Sequence, residues 1–131
     1  MAQAEPAARP TAPHLQIWRP HITMIGSITH RITGVILYLG AIGLVVWLAA
    51  LAAGPDLYDA LMNIVPPWVI MAKLYLITAV LAYHLFNGIR HLAWDVGAGF
   101  TPRVANMTGW LVILLALAAP FGLYALTQLK I

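Results

Sequence analysis

Three apolar stretches divide the chain, each bounded by turn-forming or charged residues. Ile32 to Ala53 carries no charged side chain, and its 22 residues (53 − 32 + 1) are enough for a helix to cross the roughly 30 Å hydrocarbon core of a bilayer. It extends a polar-apolar lead-in that starts at Ile22, so the first helix is expected over about 22–53. Gly54-Pro55-Asp56 breaks it, and a loop is expected from there to Pro66-Pro67. The second helix starts at Pro67, a residue tolerated in a first turn, and covers about 67–95. Gly97, Gly99, Pro102 and Arg103 mark the next loop. A third span over about 106–129 is uncharged until Lys130. The pattern predicts an all-α integral membrane protein with three transmembrane helices, an anchor domain over 21–131 preceded by an arm over 1–20. Pro6, Pro10, Pro13 and Pro20 make that arm extended, either as a disordered tail or as a segment lying along a partner subunit. It has no apolar core of the length a secretory signal needs.

The polar positions inside the spans carry the next information. His84 and His91 are seven residues apart, so on a helix they differ by roughly 20° in azimuth and roughly 10 Å in height and share a face. Lys73, Gly88 and Asp95 lie within roughly 40° of the same line, with Ile77 interrupting the stripe. Lys73 is close enough to a helix end to snorkel to the interface. On the first helix, Ser27, Arg31, Gly34 and Tyr38 project from one side, with His30 slightly off that line. Ionisable groups at membrane depth are costly and are candidates for function.

Composition agrees with a lipid-embedded chain, since the 131 residues are 62% hydrophobic and only 8% charged, too apolar for an ordinary soluble domain. Seven Lys/Arg against four Asp/Glu give net charge +3, but no basic run exists, which excludes nucleic acid as a partner. The cations instead report topology. Arg19, Arg31, Arg90 and Arg103 lie on one side, whereas the first loop has Asp56 and Asp59 and neither Lys nor Arg. The positive-inside rule then gives N-inside, C-outside, with Lys130 dissenting. The absence of cysteine excludes iron–sulfur clusters, zinc-thiolate sites and covalent haem attachment within this chain. No GxGxxG or GxxxxGK[ST] fingerprint offers a nucleotide cradle. A redox metal here would be held by histidine.

This topology brings the start of the first helix and the end of the second to one boundary, where Ser27, His30 and Arg31 are expected to meet His91 and Asp95. His84 lies deeper, where a bare imidazole is costly. Two readings satisfy it: ligation of a b-type haem iron, with Gly88 leaving room for a planar ring, or hydrogen bonding across helices. Arg31 suits either an interface anchor or a partner for haem propionates. The donors Ser27, His30 and Arg31 would equally hold a quinone carbonyl, which gains negative charge as it is reduced.

The run Ser27-Ile-Thr-His30-Arg31-Ile-Thr33-Gly34, preceded by Arg9-Pro10 and Pro13-His14-Leu15, resembles the first signature of the cytochrome b556 family of large membrane anchors in succinate dehydrogenase, respiratory complex II. His84-x-x-x-Gly88-Ile89-Arg90-His91-Leu92-x-Trp94-Asp95-x-Gly97 resembles the second. The resemblance spans about residues 9–97 through its motifs and the third helix through hydropathy alone. It implies a multi-pass subunit of the bacterial or mitochondrial inner membrane, in a complex with a flavoprotein, an iron–sulfur subunit and a second hydrophobic anchor. It further implies one haem b shared by the two anchors, with His84 as an axial ligand of the iron and the other histidine supplied by the second anchor. Ser27 and Arg31 match positions of the ubiquinone site, His30 and Arg31 lie near the haem propionates, and His91 makes a propionate or outer contact. The chain would then be part of an enzyme without binding succinate itself. Two rivals remain open from sequence: the anchor of a fumarate reductase, and a structural anchor or transporter subunit without haem.

Overall fold

The computed structural model describes residues 19–129, so the arm expected over 1–20 lies, apart from Arg19 and Pro20, outside the described residues, as does Lys130. The described residues are helical apart from short connections: α1 (Ile22–Ala53), α2 (Pro55–Asn63), α3 (Pro67–Asp95) and α4 (Pro102–Gln128). α1, α3 and α4 are each long and apolar enough to cross a membrane, which bears out the expected all-helical, three-span architecture.

Two boundaries differ from the sequence reading. The segment expected as a loop after Gly54 contains the nine-residue helix α2. Gly54, at φ 112°, is in a conformation that side chains disfavour and turns the chain sharply there. Pro55 then occupies the first helical position and Asp56 the first turn, where a carboxylate suits the helix N-terminus. The residues that break α1 therefore also start its successor. Tyr58 folds back edge-on to Trp47 of α1, with ring centroids 6.3 Å apart. α4 likewise begins four residues before the expected Asn106, because Pro102 sits at its start and the Thr101 carbonyl accepts the Ala105 N–H at 2.9 Å.

α3 is the central element, packed against both α1 and α4, which also touch each other where Gly109 meets Ile22. α1 and α3 run antiparallel: Gly26 faces Tyr83, Gly34 faces His84 and Gly40 faces Ile77. α3 and α4 form a helical hairpin. Its turn uses Gly97 (φ 83°) and Gly99 (φ 80°), with the Gly97 N–H on the Trp94 carbonyl at 2.8 Å and the Ala98 N–H on that of Ala93 at 2.9 Å. The buried apolar residues are small or medium-sized: Ala50, Val80, Ala105, Val112 and Ala116. Gly109 is buried with them. Small side chains let helix backbones approach closely where lipid gives no hydrophobic drive for association. The large residues, such as Leu44, Leu76, Leu114 and Phe121, are exposed on the outside.

Arg90, counted above among the boundary charges, is instead buried between α3 and α4, at 6% exposure. Its Nε donates to Thr108 Oγ1 at 3.0 Å, Nη2 to the Ala105 carbonyl at 2.9 Å and Nη1 to Asn87 Oδ1 at 3.3 Å. The guanidinium lies 4.0 Å from the centre of the Trp94 ring, an arrangement in which ring quadrupole and cation attract. A charge at this position needs acceptors in several directions, and a planar fork reaches them where a single ammonium cannot. Arg90→Lys should therefore destabilise the hairpin by about 1–2 kcal/mol, read as a lower midpoint of thermal unfolding in detergent. Gly109→Ala should not lower the midpoint, since alanine is the better helix former and the added methyl would meet Ile22 at 3.5 Å and the Arg90 guanidinium at 3.8 Å, both ordinary contacts. Equal behaviour of the two variants would contradict the packing described.

Candidate functional site

Three imidazoles gather in the seam between α1 and α3. His30 of α1 stacks on His84 of α3 with ring centroids 3.9 Å apart and planes 9° from parallel. It also meets His91, further along the same face of α3, at 5.1 Å and 34°. The helical repeat explains the grouping: His84, Gly88 and His91 are successive positions on the α3 face turned to α1. Small residues leave room for the rings. A side chain at Gly88 would meet His30 Cε1 at 3.8 Å, and one at Gly34 would press on His84 Cε1 at 3.2 Å.

The Nδ1 atoms of the three rings differ in their surroundings. Thr33 Oγ1 lies 3.1 Å from His84 Nδ1 and donates to the His30 carbonyl at 2.9 Å. His91 Nδ1 sits 2.7 Å from the Asn87 carbonyl, which can only accept, so this nitrogen donates. The Asn87 side-chain nitrogen, 3.4 Å from the same atom, is then a contact between donors rather than a second bond. Asn87 is the most enclosed side chain described, at 1% exposure. The Tyr83 hydroxyl donates to the Gly26 carbonyl at 2.9 Å and ties α3 to the start of α1. His30 Nδ1 is buried and has no hydrogen-bond partner among the described residues. The other two Nδ1 atoms of the cluster each have a partner, so this buried nitrogen is the exception there.

The expected site residues separate into two groups. His30, His84 and His91 come together. Asp95, expected to join them, is exposed and makes no hydrogen bond or ion pair among the described residues. Ser27 and Arg31, one helical turn apart, share another side of α1; Ser27 is half-buried and Arg31 is exposed. Neither makes a side-chain hydrogen bond among the described residues, and neither is part of the stacked cluster.

Residues 5–123 match the family model described as succinate dehydrogenase/fumarate reductase transmembrane subunit. The chain belongs to that family. It is 42% identical over 106 residues to the succinate dehydrogenase cytochrome b556 subunit of Rickettsia bellii, covering 81% of this chain and 82% of the relative. The mitochondrial cytochrome B subunit of succinate dehydrogenase from Schizosaccharomyces pombe is 37% identical over 113 residues, 82% of this chain and 63% of the relative. For the cytochrome b560 subunit from Sus scrofa the values are 35% over 123 residues, 90% and 71%. This chain is thus a multi-pass membrane subunit of a family that works within a respiratory enzyme complex.

For a member of this family, sequence reasoning missed Thr33, Tyr83, Asn87 and Arg90 as parts of the site or its support. The signal for two of them was present in the spacing. Thr33 follows His30 by three positions and Asn87 lies three after His84, each within one helical turn of a histidine already singled out. Gly34→Ala tests how tightly the seam is built. Alanine is the better helix former by about 1 kcal/mol, yet here its methyl must displace His84, so the variant should lower the thermal midpoint. A rise would mean that the ring has room to spare.

Proposed function

We propose that this chain is the large cytochrome b anchor of succinate:ubiquinone oxidoreductase, holding haem b through His84 and contributing Ser27 and Arg31 to the quinone-reduction site. The observation that carries the reading is the histidine seam: among the described residues, one imidazole has its Nδ1 engaged and its other nitrogen unclaimed, beside a second whose buried Nδ1 lacks a partner. The donor set fits the group. His84 supplies a neutral nitrogen ligand, and His30, Arg31 and His91 supply donors for the propionate edge. The relatives' designation as cytochrome b subunits supports the same cofactor. Bound haem b supplies a one-electron redox centre inside the membrane.

The partners follow from what this chain lacks. Without cysteine or a nucleotide fingerprint it offers neither clusters nor a flavin site, so a flavoprotein and an iron–sulfur subunit oxidise succinate and deliver electrons. A second hydrophobic anchor would supply a further histidine to the haem and would cover the exposed side of α1. The complex sits in the inner membrane with the amino terminus of this chain inside, placing the Ser27–Arg31 end of α1 toward the dehydrogenase. There Ser27 donates a hydrogen bond to a quinone oxygen and Arg31 stabilises the negative charge that develops on it, with protons drawn from the cytoplasmic or matrix side. The family description also covers fumarate reductases, and the same residues would serve a quinol donor in that direction.

His84→Ala should abolish the b-type band in the reduced-minus-oxidised spectrum of the purified complex; an unchanged band would refute ligation. Ser27→Ala and Arg31→Ala should each cut succinate-dependent quinone reduction by about tenfold or more and leave succinate oxidation with an artificial electron acceptor intact. Wild-type quinone reduction in both variants would remove these residues from the site.

A further inference from the structure

Thr33 is buried, at 6% exposure, and its hydroxyl touches two groups at once: the His30 carbonyl at 2.9 Å and His84 Nδ1 at 3.1 Å. A hydroxyl has a single proton, and a carbonyl can only accept. If Thr33 donated to His84 Nδ1, its oxygen and the His30 carbonyl oxygen would stand at 2.9 Å with no proton between them. One arrangement satisfies both contacts: Thr33 donates to the His30 carbonyl and accepts a proton carried by His84 Nδ1. We infer that Thr33 is a positioning residue that fixes His84 in the Nδ1–H tautomer, so that Nε2 keeps the lone pair that a metal requires. The inference rests on the reading of His84 as the haem ligand and adds to it how this chain prepares the ligand.

The surroundings hold the ring in that state. His30 covers one face at 3.9 Å, nearly parallel, and Gly34 stands where any side chain would press on Cε1 at 3.2 Å. A turned ring would exchange Nδ1 for a carbon and leave the buried Thr33 oxygen without a donor. His91 has its Nδ1 on a carbonyl too, at 2.7 Å, but there the acceptor belongs to the main chain and no substitution removes it. Thr33 is therefore the side chain through which the effect can be tested. A ligand imidazole whose Nδ1–H donates to an acceptor is a more basic donor at its other nitrogen, and such outer partners alter metal affinity by about ten- to a hundredfold. A more basic ligand favours the oxidised iron, so loss of the acceptor should raise the haem potential and weaken retention.

The test compares the assembled complex carrying wild type, Thr33→Val, Thr33→Ser and His84→Ala. Valine keeps the shape of threonine and lacks the acceptor, whereas serine keeps the hydroxyl. The readouts are haem per complex after prolonged dialysis, the midpoint potential of the retained haem, and the low-temperature electron paramagnetic resonance spectrum of the ferric form. Thr33→Val should lose haem at least about tenfold faster, shift the potential upward and change the ferric spectrum, with Thr33→Ser close to wild type on all three. A purely structural role for Thr33 would lower stability without moving the potential or spectrum of the haem that remains, and that result overturns the inference. If Thr33→Val does not assemble, Thr33→Ala set against Thr33→Ser gives the same comparison. The two readings fail separately: haem lost in His84→Ala with Thr33→Val matching wild type leaves ligation standing and removes Thr33, whereas haem retained in His84→Ala removes both.

Discussion

Hydrocarbon accepts no hydrogen bonds, and this single constraint arranges the polar residues of α3. Five of its side chains could not face lipid without large cost: Tyr83, His84, Asn87, Arg90 and His91. All are buried or half-buried, turned into seams with the two neighbouring spans. Tyr83, His84 and His91 serve the α1 seam, and Arg90 serves the α4 seam. Asn87 joins them, accepting from Arg90 through its side chain and from His91 through its carbonyl. The histidine site and the helical hairpin are thus parts of one hydrogen-bonded arrangement. A disturbance of the α3–α4 packing should reach the ring of His91 through a single residue.

The fold was legible where period and length decide. Long, mostly apolar runs gave the three spans, and the seven-residue spacing of His84 and His91 gave the face that meets α1. What escaped was set by contacts that sequence does not display. Arg90 looks like a loop cation because it lies near a helix end, and only the proximity of Thr108 and Ala105 from α4 shows why it is inside. α2 escaped because Gly-Pro-Asp both stops a helix and starts one, and its signal as a start was outweighed by the break. His30 was placed slightly off the line of Ser27, Arg31 and Gly34, yet His30 and Gly34 both border His84, whereas Ser27 is half-buried and Arg31 exposed, so azimuth along α1 alone did not separate the residues of the seam from the rest.

This division of α1 into two faces suits a subunit that shares its work. The inner face holds the histidines with the help of Thr33, Gly34 and Gly26. The outer face, with Arg31 and Tyr38 exposed and Ser27 half-buried, together with large apolar residues such as Val35, Leu39 and Ile42, offers surface for lipid and for other subunits of a family defined by its membership of a larger complex. The small residues beside the imidazoles and the unsatisfied His30 nitrogen suit a group that is completed from outside.

The central claim is that the seam between α1 and α3 presents His84 to a metal-bearing planar cofactor. A side-chain-resolution map of the complex purified from its own membrane tests it most directly. The account expects a planar macrocycle whose central metal is bonded to His84 Nε2, with Nδ1 still on Thr33 and polar groups of the macrocycle near His30. A map in which His30 and His84 remain stacked, with only protein or lipid beside them and Nε2 bonded to another side chain, would contradict it.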